Sequence, residues 1–204
     1  ALTILFSGMV MLWLAGLSHR FFLTIALVCT VAAPALWYSL KDYQKQRIMV
    51  FMGYGDARKE RYQIEQSAIA IGSGGLTGKG FLNGTQNKFH FLPESRTDFI
   101  FSVIAEETGF VGALLLLCIY ALLFWRMLAI IMTIKAPLLQ LLAIGLILHI
   151  VFSTIINVGM VIGLLPVVGI PLPLVSYGLS NLWVTLATLG WFNGIAMRRF
   201  YITT

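Results

Sequence analysis

The residues best suited to chemistry lie in one run: Phe89-His90-Phe91-Leu92-Pro93-Glu94-Ser95-Arg96-Thr97-Asp98-Phe99-Ile100-Phe101. Ionisable side chains meet aromatic rings here, a mixture that suits the boundary between water and lipid. Pro93 should end whatever precedes it, and Ser95-x-x-Asp98 has the capping-box pattern that opens a helix. Two readings of Asp98 stay open. It is a first-turn acid that satisfies a helix N-terminus and its dipole. Or it is a carboxylate facing a substrate whose head is in water and whose tail is in lipid. A helix N-terminus favours the ionised form, which is the form able to accept a proton. Glu106 follows eight residues later, about two helical turns on and nearly on the same face. Pairing with a loop Lys or Arg is its commoner role.

Two further segments are unusual. Residues 72–80 hold five glycines in nine positions, with Lys79 among them. Glycines let backbone N–H groups approach an anion closely, and Lys79 would add positive charge to such a cradle. The spacing is not that of a nucleotide loop, and a flexible turn is the plain alternative. The second is Leu165-Pro166-Val167-Val168-Gly169-Ile170-Pro171-Leu172-Pro173-Leu174-Val175-Ser176-Tyr177-Gly178-Leu179-Ser180-Asn181. Three prolines and two glycines forbid a continuous helix. At membrane depth such backbone is tolerated only where protein or a watery cavity covers it. Ser176, Tyr177, Ser180 and Asn181 are placed to satisfy its freed polar groups. The expectation is a broken or re-entrant element lining a cavity, against the alternative of an exposed loop.

The elements that must position these residues follow from the charge pattern. All eight acidic residues of the 204 lie from Asp42 to Glu107, and 59% of the chain is hydrophobic. A mean hydropathy of +0.89 lies outside the soluble globular range. The expectation is an all-α integral membrane fold. Two spanning helices occupy 1–40, a large watery loop with short helices 41–110, and two more spans 111–165. The Pro-rich segment takes 166–181, and the last span with its tail 174–204. Five stretches approach the roughly 20 residues that a hydrocarbon core requires: 1–17, 21–40, 111–134, 138–165 and 174–197. Within the loop, 62–71 reads as an amphipathic helix, with Ile64, Ala68 and Ile71 on one face and Gln63, Gln66 and Ser67 off it. The abrupt start at Ala1 reads as a cut point in a longer parent.

Nine of the fourteen Lys and Arg residues lie in the loop. The other five, Arg20, Arg126, Lys135, Arg198 and Arg199, have no acid near them in sequence. Short basic connections stay cytoplasmic, so the loop is expected outside and the C-terminus inside. The net charge of +6 is accounted for by this bias and by anionic lipid, without a nucleic-acid partner. Cys29 and Cys118 read as packing thiols. His19, His90 and His149 are too scattered for a metal cage.

Two long runs carry a resemblance. Gly169-Ile-Pro-Leu-Pro-Leu-Val-Ser-Tyr-Gly178 and Gln66-Ser-Ala-Ile-Ala-Ile-Gly-Ser-Gly-Gly-Leu-Thr-Gly-Lys-Gly80 resemble signatures of the shape, elongation, division and sporulation (SEDS) family. These are the RodA/FtsW-like membrane glycosyltransferases. Gly84-Thr-Gln86 and Phe91-Leu-Pro-Glu94…Thr97-Asp-Phe-Ile-Phe101 follow in the same order, closest to the RodA branch. The resemblance implies the C-terminal half of a ten-helix protein of the bacterial cytoplasmic membrane. It implies polymerisation of lipid II into glycan strands at the outer face during rod-shape elongation, with a class B penicillin-binding protein as transpeptidase partner. The acid of the Thr-Asp-Phe motif, essential in the family, is Asp98 here. Lys79, Gln86, Lys88, Glu94, Arg96, Ser176, Tyr177 and Ser180 are the candidate substrate contacts.

The implied reaction fits one key carboxylate. A sugar hydroxyl attacking an anomeric carbon needs its proton removed. Diphosphate already leaves well, so no second carboxyl is demanded as in glycoside hydrolysis. Its charge needs positive groups or a divalent cation. Lys79, Lys88 and Arg96 are the basic candidates; no residue set here is assigned to a metal. The chain departs from the family at Leu179, where a glycine is usual, and at 55–61, where an Asp-Pro-rich stretch is usual. A side chain at 179 would narrow the cavity or shift its backbone. Two other functions fit the composition: transport of a lipid-linked precursor, since a broken helix by a polar cavity suits transport, and a scaffold for the transpeptidase. A transporter would place essential charges inside its spans, whereas this chain keeps its acids in the loop.

Overall fold

A computed structural model describes residues 2–52, 58–85 and 94–198, and those residues form seven helices joined by turns and irregular segments. They are α1 (Leu2–Leu14), α2 (His19–Ser39), α3 (Asp42–Phe51), α4 (Arg58–Gly74), α5 (Ile100–Ile131), α6 (Pro137–Val161) and α7 (Leu179–Arg198). Gln86, Lys88 and His90 lie outside the described residues, as do 55–57 of the 55–61 stretch.

Three helices are long and apolar enough to cross a membrane: α2, α5 and α6. All five stretches expected to span are helical, and α1 and α7 are the two outside this set. From its first described residue, Leu2, α1 runs 13 residues, nearly all apolar. With 20 residues α7 has the length, but Asn181, Thr185, Thr188 and Asn193 dilute its apolarity. Both still pack against α6, which is the hub of the bundle and also touches α5 and α4. No residue of α2 is buried.

The third span differs most from its expected bounds. It begins at Ile100 rather than near 111 and is bent at Gly109 (φ 70°, ψ −167°). The glycine-rich run explains the bend. After α4 ends, the chain folds back against α5 in a short backbone ladder. Lys79 N–H donates to Glu106 O (3.0 Å) and Gly80 N–H to Glu107 O (2.9 Å). From the other side, Phe110 N–H donates to Gly75 O (2.8 Å) and Val111 N–H to Leu76 O (3.1 Å). Carbonyls and amides freed at the kink thus find partners, as buried backbone groups must. A Cβ on Gly78 would sit 2.1 Å from Glu107 O, and one on Gly109 2.3 Å from Gly78 N. Only glycine allows this approach.

The loop helix is also turned from its expected face. Gln63, Ser67, Ala70 and Gly74 form the buried side of α4, and Ala68 is exposed. Ser67 is buried because its hydroxyl is satisfied. Oγ donates to Val161 O (2.7 Å) at the end of α6 and shares a 2.6 Å hydrogen bond with Ser102 of α5. Ile64 and Ile71 pack beside it against Phe99, Phe101, Ala105, Met160 and Val161. A second apolar cluster, at the opposite end, joins Met127, Ile131, Ala143, Ile147 and Phe192. Cys29 and Cys118, read from the sequence as packing thiols, are both exposed.

Candidate functional site

The site is assembled from two irregular segments on top of the first cluster. One is the turn 94–99 that leads into α5; the other is the Pro-rich stretch between α6 and α7. The turn replaces the expected helix start. Glu94 adopts φ 55°, in the left-handed region. Its carbonyl accepts N–H bonds from Thr97 (3.2 Å), Asp98 (3.1 Å) and Phe99 (3.2 Å). The helix then begins at Ile100 with no side-chain cap and no acid in its first turn. Asp98 is therefore not a capping residue: the tight turn takes up the amides that a cap would serve.

Three successive carbonyls fix this turn to the rest of the fold. Arg96 O accepts Tyr177 N–H (2.9 Å), Thr97 O accepts Ser176 Oγ–H (2.5 Å), and Asp98 O accepts Asn157 Nδ2–H (2.8 Å). Asn157, fully buried near the end of α6, gives its other amide hydrogen to Ile170 O (2.7 Å). Its Oδ1 has no partner among the described residues. Ser176 Oγ also accepts Leu172 N–H (2.7 Å). From below, the Tyr120 hydroxyl donates to Pro173 O. Tyr120 lies eleven residues past the Gly109 kink, about 16 Å along the helix. The Pro-rich chain thus dips between helices, with Leu172 and Pro173 fully buried. Leu174 returns it at φ 66°, so both halves of the site hold a non-glycine residue in a strained region.

The Asp98 side chain faces Gly169. A Cβ built there would lie 3.2 Å from Asp98 Oδ2. The carboxyl is half-buried, and no described residue donates a hydrogen bond to it. Its pKa is raised, first by burial and then by the Glu94 carboxylate, while Arg47 of α3 pulls it down. Arg47 also reaches Val168 O at 3.5 Å, so α3 leans over the same corner.

The other sequence candidates divide. Glu94 is in the turn, its Oε2 accepting the Thr97 hydroxyl (3.0 Å). Arg96 and Tyr177 are exposed and line a cavity of about 420 Å³ with Ile100, Leu174, Leu179 and Leu182. Leu179 adds its side chain to that wall. Ser176 holds backbone in place and is buried; Ser180 is exposed on the first turn of α7. Lys79 is elsewhere. Its ammonium meets Glu106 Oε1 at 2.7 Å and Thr85 Oγ1 at 2.8 Å. Thr85 supplies the same carboxylate oxygen with its N–H (2.8 Å) and hydroxyl (2.9 Å). The anion-cradle reading of residues 72–80 is corrected accordingly. The amides of Gly78, Lys79 and Gly80 already serve Gly74, Glu106 and Glu107 carbonyls.

Asn157, Arg47 and Tyr120 were not singled out from sequence. For Asn157 a signal existed: an amide inside an apolar 25-residue helix is costly unless it finds partners. Arg47, one of several basic residues in a charged stretch, offered none. Among the described residues no three His, Cys, Asp or Glu side chains gather to hold a metal.

The family model described as "cell cycle protein" (FtsW/RodA/SpoVE) matches residues 1–200. The chain belongs to this family. It is 48% identical over 186 residues to the peptidoglycan glycosyltransferase MrdB of Escherichia coli (strain K12), covering 90% of this chain and 50% of that protein. It is 42% identical over 161 residues to peptidoglycan glycosyltransferase RodA of Treponema pallidum, covering 78% and 37%. A solved structure described as a peptidoglycan synthase complex that coordinates polymerization and crosslinking aligns with a TM-score of 0.76 and 35% identity. That match covers 98% of this chain and 55% of the solved one. The chain spans about half the length of the MrdB protein it matches. Family, helical architecture and membrane residence therefore stand together; of the SEDS motifs, Thr97–Phe101 and Gly169–Gly178 meet at the site, whereas the glycine-rich one packs on the α5 kink.

Proposed function

We propose that the protein to which this chain belongs is a peptidoglycan glycosyltransferase that polymerises lipid II at the outer face of the bacterial cytoplasmic membrane, in concert with a class B penicillin-binding protein. The observation that carries this reading is Asp98. It is a carboxylate at the head of a spanning helix, set on a backbone pinned at three consecutive carbonyls, with no internal donor among the described residues. The names of the relatives support the reaction class.

Asp98 is the general base. Burial and Glu94 make its carboxylate more basic, which improves its pull on the acceptor sugar hydroxyl as long as it remains ionised. The diphosphate leaves with the bond electrons, and its charge needs a positive partner. Arg47, whose charge acts on Asp98, and Arg96, exposed in the neighbouring cavity, are the described cations near this corner. Lys79 is already matched by Glu106, so its earlier assignment to the diphosphate gives way to an anchoring role. Were a divalent cation used to offset the diphosphate charge, the Asp98 and Glu94 carboxylates would be the oxygen donors to hold it, with Asp98 then a ligand in place of the base. The acid-bearing segment faces outward because the opposite connections carry only basic residues.

The test is lipid II polymerisation by the full-length protein with its transpeptidase, wild type against Asp98→Asn. Asn keeps the shape of Asp and removes the base. A stable, membrane-inserted variant without polymer supports the enzyme. Polymerisation near the wild-type rate overturns the assignment, and a scaffold role would leave partner binding as the only affected measurement.

A further inference from the structure

A second cavity, of about 380 Å³, opens at the end of the bundle remote from Asp98. It lies between the start of α6 and the end of α7, lined by Leu139, Leu142, Leu146, Trp191, Ile195 and Arg198, with Gly194 in its floor. We propose that this groove binds an anionic phospholipid, one acyl chain lying along the apolar wall and the headgroup phosphate meeting Arg198.

Three independent features carry this assignment. Gly190, Gly194 and Arg198 recur every four residues and so share one stripe of α7. A Cβ at Gly190 or Gly194 would meet nothing within 4 Å, so the stripe is an open channel leading to the guanidinium. The channel wall is aliphatic, while Trp191 is 72% exposed beside it, as suits a ring at headgroup depth. The charge at this end is of one sign. No acidic residue follows Glu107 in the chain, and Lys135 precedes α6 just before Leu139. Basic pockets between membrane helices attract anionic headgroups, and Arg can hold phosphate with two parallel N–H bonds. An apolar peptide would fill the wall but leave Arg198 unanswered, whereas a zwitterionic lipid brings its own cation to a positive site.

The experiment uses the full-length protein, stripped of lipid in detergent and offered equal phosphatidylglycerol and phosphatidylcholine, with retained lipid counted by native mass spectrometry. Wild type should hold phosphatidylglycerol roughly fivefold more than phosphatidylcholine, because both carry the phosphate but only phosphatidylglycerol has net negative charge for the basic residue to attract. Arg198→Gln should erase the preference and Arg198→Lys keep most of it. Gly194→Leu, which fills the channel, should lower retention of both lipids. Melting of each variant in lipid-free detergent should match wild type, and added phosphatidylglycerol should raise the Tm of wild type alone among wild type, Arg198→Gln and Gly194→Leu. Equal retention of the two lipids by wild type overturns the proposal. So does a preference untouched by Arg198→Gln, or a groove found closed by another part of the full-length chain.

Discussion

Asp98 and Glu106 are the same chemical group eight residues apart, and the fold uses them in opposite ways. Glu106 is fully buried and takes three hydrogen bonds on one oxygen, from Lys79 and twice from Thr85. Asp98 is half-buried, receives no hydrogen bond from a described side chain or amide, and lies against a glycine. A saturated carboxylate holds structure; an unsaturated one, on a backbone held by other atoms, is available to a substrate. Distance along a helix cannot distinguish them. What separates them is whether the neighbours donate to the side chain or to the main chain.

Substitutions can break this contrast, beginning with the largest effect. Asp98→Asn should lower polymerisation by about 10²–10⁴-fold while leaving thermal stability unchanged or slightly raised. The sign follows from linkage. A carboxyl whose folded pKa lies above its unfolded value stabilises the fold below the unfolded pKa, and that contribution is lost as pH rises through the folded one. At neutral pH its ionised form opposes folding, so neutralising it does not hurt. A drop in Tm would place Asp98 with Glu106 as a structural acid.

Glu106→Ala should do the reverse, removing about 1–3 kcal/mol of stability by taking the acceptor from the Lys79 ammonium and the Thr85 N–H. Lys79→Met should cost a similar amount, and Lys79→Met with Glu106→Gln much less than the sum, because Gln still accepts from Thr85. Additive losses in chemical or thermal unfolding would mean that the pair is not coupled. Asn157→Ala, which frees the Asp98 and Ile170 carbonyls, should cost about 1–3 kcal/mol. It should also slow polymerisation by up to roughly a hundredfold through misplacement of the base. A full rate would show that Ser176 and Tyr177 hold the turn alone.

The smallest effects are in pH dependence. The acid limb of kcat/KM, where Asp98 loses its proton, should lie above that of a free aspartate. Glu94→Gln removes a raising influence and should move that limb to lower pH. Arg47→Gln removes a lowering one and should move it up. Identical profiles would detach Asp98 from the limb.

Much of this contrast was open to inspection in the residues. Confinement of every acid to 42–107 marked the segment where Asp98 sits, and three prolines at 166–173 marked the chain that faces it. The capping-box pattern at Ser95 misled because a local rule describes one turn of backbone. It did not anticipate that Glu94 would enter the left-handed region and gather the three amides first. The glycine-rich run misled for a related reason. Glycine reports that something approaches closely, but only tertiary structure says whether that is an anion or, as here, the carbonyls of a bent helix. Ser67 and Gln63 were assigned outward by polarity, yet Ser67 turns inward because Val161 and Ser102 receive it.

The pinning of Arg96, Thr97 and Asp98 through their carbonyls has a consequence at the level of the cell. Main-chain acceptors are indifferent to the side chain they accompany, so the turn keeps its shape when residue 98 changes. A variant dead at Asp98 should escape quality control, accumulate in the membrane at ordinary abundance and engage the same partner as an active copy. Under the proposed function such an allele should be dominant over the intact protein, whereas one that loses Glu106, and with it stability, should be closer to recessive.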